Sequence, residues 1–146
     1  MQALNHTVFG TLIAVTIKDP AAAIPLALAS HFVLDSIPHY GNDPKSPRFT
    51  RPYYTKVVLD FIASVAILLF FLSLHPSHPM LVIICAILAV APDFLWPLAL
   101  VVKHKGPLWA FFQFHKNIQT ESRSGIFVEL VWFILTSTLV VLAIRA

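Results

Sequence analysis

Apolar residues run through this chain in blocks broken by short polar or proline-rich turns. Residues 4–17 are an apolar run of about 14 residues, short for a bilayer crossing, which takes about 20 residues of helix. Lys18-Asp19-Pro20 interrupts it, and a proline there suits the first turn of a new helix over 21–37. These two segments predict a tight helical hairpin. Residues 40–52 are polar and carry Gly41, Pro44, Pro47 and Pro52, which marks a connector. Residues 54–74 form the clearest span. The turn His75-Pro76-Ser77-His78-Pro79 leads to a further span over 80–102, which Pro92 and Pro97 are expected to kink. Around residues 106–124, Trp109, Phe111, Phe112 and Phe114 interleave with Lys105, Lys116 and Arg123, the pattern of an interfacial amphipathic helix. Residues 125–144 are the last span. The expected fold is all-α: a single integral membrane domain over 1–146, polytopic and helical, with a short N-terminal hairpin plus three longer transmembrane helices.

Composition agrees with that class. The 146 residues are 58% hydrophobic and only 12% charged, and the mean hydropathy is +0.78. The single Cys85 lies in an apolar run, which excludes a disulfide framework and a cysteine metal site. The net charge of +3 does not indicate nucleic acid, because the basic residues cluster between spans. Lys45, Arg48, Arg51 and Lys56 fall in one connector and Lys103, Lys105, Lys116 and Arg123 in another, while residues 75–79 carry no Lys or Arg. The positive-inside rule then puts both basic connectors and the N-terminus in the cytoplasm, and the C-terminus outside.

The acids change the picture further. Asp35, Asp93 and Glu129 lie within or at the edge of apolar runs that contain no Lys or Arg, and Asp60 lies in a run whose one basic residue, Lys56, is near its start. A lone carboxylate at the centre of a span costs about 2.5–3.5 kcal/mol on insertion scales. Such acids must sit near an interface, be protonated or share a cation, and a divalent metal is a candidate cation. The topology lets His6, His31, Asp35, His39, Asp60, Asp93 and Glu129 converge at the cytoplasmic end, and puts His75 and His78 at the other. His31 and Asp35 stand four residues apart and therefore share a helix face. Together they can ligate zinc or pack as a hydrogen-bonded pair. His39 and His6 could add ligands. Asp93, after Pro92, could cap a restarted helix, ligate a metal or act as a general base. His115 is an interfacial residue or a further ligand. Tyr53, Tyr54 and Trp109 suit an aromatic belt.

The segment His31-Phe32-Val33-Leu34-Asp35-Ser36-Ile37-Pro38-His39 resembles the HxxxDxxQPxH signature of zinc-dependent phospholipase C and the single-strand-specific zinc nucleases. His6 resembles the histidine on their early helix. The chain is also similar to the membrane-bound metal-dependent hydrolases of the YdjM type, whose short Pro-Asp motifs at helix ends match Pro92-Asp93. Departures accompany the resemblance. His31 to His39 is two residues shorter than in the phospholipase motif, a second HxxxD is replaced by His115-x-x-x-Gln119, and the His-Arg-x-x-Thr-His-Ser element of the YdjM type is absent. One or two metals is then the expectation, not a trinuclear cluster.

The resemblance implies a hydrolase acting on a phosphoester, a lipid or lipid-linked one, from the cytoplasmic face of a bacterial or archaeal inner membrane. His6, His31, Asp35, His39, Asp93 and His115 are the candidate ligands of a divalent metal, zinc first and manganese second. Asp93 or Asp60 is the candidate general base, and Lys45, Arg48, Arg51 and Lys116 are candidates for holding an anionic substrate or lipid headgroup. A homo-oligomer is compatible with this reading. The alternative is a non-enzymatic metal- or proton-binding membrane protein, a small transporter or regulatory partner, since intramembrane acids and histidines also mark ion pathways.

Overall fold

Prolines open four of the six helices in the computed structural model, which describes residues 1–41, 50–95, 98 and 105–146. A proline in the first turn loses no hydrogen bond, because the amide it lacks has no partner inside the helix. The elements in chain order are α1 (Ala3–Ile17), α2 (Pro20–Ser36), β1 (His39–Tyr40), α3 (Arg51–Ser73), α4 (Pro79–Phe94), α5 (Pro107–Ile118), β2 (Glu121–Ser122) and α6 (Gly125–Arg145). Lys18 turns the chain between α1 and α2 in the left-handed region at φ 59°. Asp19 then caps α2 by accepting the Ala21 amide at 3.1 Å.

Helix α1 is the hub of the bundle. It packs against α2, α3, α4 and α6. Gly10 makes its approach to α4 possible: a Cβ there would lie 2.5 Å from the Cys85 carbonyl oxygen and 2.8 Å from the Ala89 Cβ. The apolar core fills the half of the bundle near the α1–α2 and α3–α4 turns, with Ile13, Ala14, Ala23, Ala27, Leu81, Val82 and Cys85 in one cluster and Val8, Phe71 and Val140 in another. The opposite end is polar inside. There His6, His31, His115, Asp35, Asn5, His39 and Glu129 are all buried.

The outer surface has the reverse polarity. Helices α3 (23 residues) and α6 (21 residues) are long and apolar enough to cross a membrane, yet only 11% and 17% of their most apolar 18-residue stretches are buried. Val58, Leu59, Ile62 and Leu69 on α3, and Phe127, Val131, Ile134 and Leu142 on α6, are exposed.

Two features depart from the sequence-based expectation. The third long span, expected over 80–102, is a 16-residue helix that ends at Phe94. At 1.5 Å per residue that is about 24 Å, short of a hydrocarbon core of about 30 Å. Pro92, which the helix accommodates, lies two residues before its end, while Pro97 lies outside the described residues. The second departure is a short parallel strand pair that pairs His39 with Glu121 and Tyr40 with Ser122. The Asp35 carbonyl, unpaired at the end of α2, accepts the Thr120 amide at 3.1 Å, and the His39 amide donates to the Thr120 carbonyl at 3.0 Å. These bonds tie the connector between α5 and α6 to the end of α2, which fixes α5 across the polar end. Hydrophobic periodicity carries no signal for a two-residue ladder.

Candidate metal centre

Three helices bring four donors to a single point. His31 and Asp35 come from successive turns of α2, Asp93 from the last turn of α4 and His115 from the last turn of α5. One ligand atom of each lies within 4.8 Å of the others, so the four residues could hold a metal ion. Five of the six separations are resolved as contacts: His31 Nε2 to His115 Nε2 at 2.9 Å, His115 Nε2 to Asp35 Oδ2 at 3.0 Å, His31 Nε2 to Asp35 Oδ2 at 3.2 Å, and both Nε2 atoms to Asp93 Oδ1 at 3.6 Å. A tetrahedron with metal–ligand bonds of about 2.0–2.1 Å has edges of about 3.3–3.4 Å. The observed edges bracket that value.

Hydrogen bonding around the four residues leaves lone pairs aimed inward. His31 Nδ1 lies 2.8 Å from the Ala89 carbonyl oxygen. A carbonyl only accepts, so Nδ1 carries the proton and a neutral His31 presents a bare Nε2 to the site. Outer hydrogen bonds of this kind fix the tautomer of metal-ligating histidines. His115 Nδ1 is buried and has no partner, so Nε2 makes the polar contacts of that ring. The Gln119 amide reaches both Asp35 Oδ2 at 3.4 Å and His115 Nε2 at 3.5 Å from the end of α5. Rings wall off one side: Phe32 is edge-on to His115 and Phe111 is tilted against it, each with centroids 5.9 Å away. Three of the four side chains are 0–1% exposed, and the Asp93 side chain, at 30%, is the one that reaches the surface.

Asp35 works in two directions. While Oδ2 faces His31 and His115, Oδ1 accepts from His6 Nε2 at 3.1 Å and pairs with the amino group of Met1. His6 stacks on His31 with ring centroids 4.2 Å apart. It therefore holds Asp35 through Oδ1 and is not a member of the four-residue group. His6 Nδ1 is buried without a partner.

The start of α1 also accounts for the other two acids. Asp60 accepts the Ala3 and Leu4 amides at 2.8 and 3.2 Å. Glu129 accepts the Gln2 and Tyr40 amides, each at 3.2 Å. The first amides of a helix lack intrahelical partners and carry its positive dipole end. Much of the compensation that the sequence reading sought in a metal thus comes from backbone. Sequence reasoning missed this because backbone amides have no letter in the sequence, though an apolar N-terminus without a capping side chain was a faint signal.

The remaining candidates fall elsewhere. His39 is buried in β1, with Nδ1 donating to the Ile37 carbonyl at 2.9 Å, and is not a member of the four-residue group. Burial, and next the positive amino group of Met1, hold its pKa below the ordinary 6.5. Asp60 is likewise outside the group. Arg51 lies on α3 and Lys116 is exposed on α5. Lys45 and Arg48 lie outside the described residues. His75 and His78 are at the α3–α4 turn, the far end of the bundle. The Ala89 carbonyl and Gln119 are site partners that the sequence did not single out as such. No family model, curated protein or solved structure matches the chain.

Proposed function

We propose that this protein is a membrane-embedded, metal-dependent hydrolase of a phosphoester. The observation that carries the reading is the convergence of ligand atoms of His31, His115, Asp35 and Asp93 within 4.8 Å of one another, with only Asp93 open to the surface. Catalytic zinc sites take three protein ligands and leave a fourth position for water or substrate. His31, His115 and Asp35 supply the three buried ligands. Asp93, the partly exposed donor and the one farthest from both Nε2 atoms, would give up the fourth position to water or substrate and take the proton from the attacking water. Zinc, or manganese in its place, would supply Lewis acidity that lowers the pKa of that water and polarises the phosphoryl oxygen. Gln119 Nε2 offers a neutral donor at the same mouth. The membrane placement rests on the outward apolar faces of α3 and α6 and on the polar interior, an arrangement that water would disfavour over so large a surface. Arg51, Lys56, Lys105, Lys116 and Arg123 lie at the site end and outnumber Lys18 and Arg145 at the other, where the α3–α4 turn has no Lys or Arg. The positive-inside rule therefore orients the site to the cytoplasm. An anionic, lipid-linked phosphoester suits that position.

The near-total burial of three of the four residues favours a second reading, a non-enzymatic metal-binding membrane protein. One experiment separates the two. Metal-loaded protein in detergent is assayed against phospholipids, lipid pyrophosphates and a chromogenic phosphodiester. The hydrolase reading expects turnover that His31→Ala and Asp93→Asn each abolish and His75→Ala leaves unchanged. Retained metal with no turnover on that panel would leave the binding reading in place.

A further inference from the structure

A second polar feature lies on α3, away from the four-residue group. A shallow groove of about 690 Å³, largely open to its surroundings, lies along the first half of that helix, lined by Arg51, Pro52, Thr55, Lys56, Leu59, Asp60 and Ala63, all on α3. None of the candidate ligands His31, Asp35, Asp93 or His115 lines it. Its chemistry is graded along its length. Arg51, Thr55 and Lys56 stand in the first two turns, and Leu59 and Ala63 follow. Leu59 is eight residues beyond Arg51, about 12 Å further along the helix. The Lys56 ammonium is held 3.9 Å above the Tyr40 ring, which fixes its position without neutralising it. Asp60 is the one acid in the groove, and both its oxygens are engaged by the Ala3 and Leu4 amides. Two cations and one carboxylate leave the groove a net +1.

We propose that this groove binds one anionic phospholipid, with the phosphate between Arg51, Thr55 and Lys56 and an acyl chain along Leu59 and Ala63. The charge selects the occupant. A lipid with a net charge of −1 balances the groove, whereas a zwitterionic headgroup brings an ammonium that finds only the already engaged Asp60. The apolar half continues into the exposed faces of Leu59, Ile62 and Val65, so an acyl chain leaving the groove stays on apolar surface. The proposal rests on the membrane placement argued above and is independent of the metal.

The test uses the full chain in nanodiscs or mild detergent. Binding of phosphatidylglycerol, phosphatidylcholine and inorganic phosphate is measured by native mass spectrometry and by displacement of a fluorescent anionic lipid, with metal content measured on the same samples. One phosphatidylglycerol should be retained in preference to phosphatidylcholine, and inorganic phosphate should not displace it. A Lys or Arg near an anionic headgroup is worth about 1 kcal/mol, so Arg51→Ala and Lys56→Ala should each weaken binding roughly fivefold, and together roughly 30-fold. Ala63→Leu, which fills the apolar half, should weaken it while keeping both charges. Lys18→Ala, in the α1–α2 turn at the other end of the bundle, should not. Equal retention of phosphatidylcholine, displacement by inorganic phosphate, or unchanged affinity in the Arg51→Ala, Lys56→Ala double variant would overturn the proposal. Loss of lipid binding with metal retained leaves the hydrolase reading standing. Failure to bind metal with lipid retained removes that reading and not this one.

Discussion

The Nε2 atoms of His31 and His115 lie 2.9 Å apart, closer than two bare lone pairs tolerate. The Nδ1 proton of His31 is committed to the Ala89 carbonyl. Either a hydrogen on the His115 Nε2 or a metal bound to both nitrogens must therefore lie between the two rings. The two carboxylates that face the same point, Asp35 and Asp93, would balance the charge of a divalent ion.

Purified protein should accordingly carry about one equivalent of a divalent metal, with zinc the best match to two imidazoles and two carboxylates. Structural zinc sites bind with about 10–16 kcal/mol shared over four ligands. Removing one ligand should then cost roughly 2.5–4 kcal/mol, a fall in affinity of about a hundredfold or more. Elemental analysis and competition with a chromogenic chelator for His31→Ala and His115→Ala measure this. Wild-type affinity in either variant would exclude the site.

Gly10 offers a test that touches no ligand. In Gly10→Ala, the new Cβ meets the Cys85 carbonyl and the Ala89 Cβ, so α4 must move away from α1. The Ala89 carbonyl that orients His31 moves with it. Overpacking of this kind costs about 1–3 kcal/mol, and loss of an outer hydrogen bond typically costs 10–100-fold in metal affinity. Lower thermal stability together with weaker metal binding is the expected result. Unchanged metal affinity in a destabilised variant would show that the Ala89 carbonyl is dispensable.

His39 sets a pH dependence outside the helices. Its folded-state pKa is lowered by burial, the largest cause, and by the positive amino group of Met1. Between that lowered value and the ordinary 6.5, the unfolded chain binds the proton and the folded one does not. Stability from this group is therefore intact above about pH 6.5 and declines as pH falls towards the folded-state value. His39→Asn keeps a donor for the Ile37 carbonyl and removes the titration. Denaturation midpoints of the two proteins should run parallel above neutrality and diverge on acidification, with wild type losing more. Parallel curves down to pH 5 would contradict the buried, neutral His39.

Sidedness is open to chemical labelling. Ser77 is in the α3–α4 turn and Ser124 at the start of α6, at opposite ends of the bundle. In a Cys85→Ala background, cysteines at Ser77 and Ser124 should label with an impermeant maleimide from opposite faces of sealed vesicles. Labelling of both from one face would rule out the membrane placement.

Most of the helical architecture was legible along the chain. Proline positions and apolar runs placed all six helices, because both act over a few neighbouring residues. The length of α4 was less legible, since apolar composition continues past Pro92 while the helix stops at Phe94. Within the site, the four-residue spacing of His31 and Asp35 was enough to put them on one face. A bundle end carrying histidines and acids from several helices followed from counting depths along each span.

What the sequence by itself determined is thus local: helix by helix, which residues are apolar, where each helix starts, and which polar side chains share a turn. Which of those side chains meet was decided only by the packing of helices far apart in the chain. His115 is 80 residues from Asp35 and Ala89 is 58 from His31, yet both lie within hydrogen-bond distance. The strand pair and the close approach at Gly10 put them there. Tertiary structure likewise sent Asp60 to the first amides of α1, and Glu129 to the amides of Gln2 and Tyr40, instead of to the histidines. Side-chain spacing cannot foresee this, because an open helix end attracts carboxylates with backbone groups that every sequence contains.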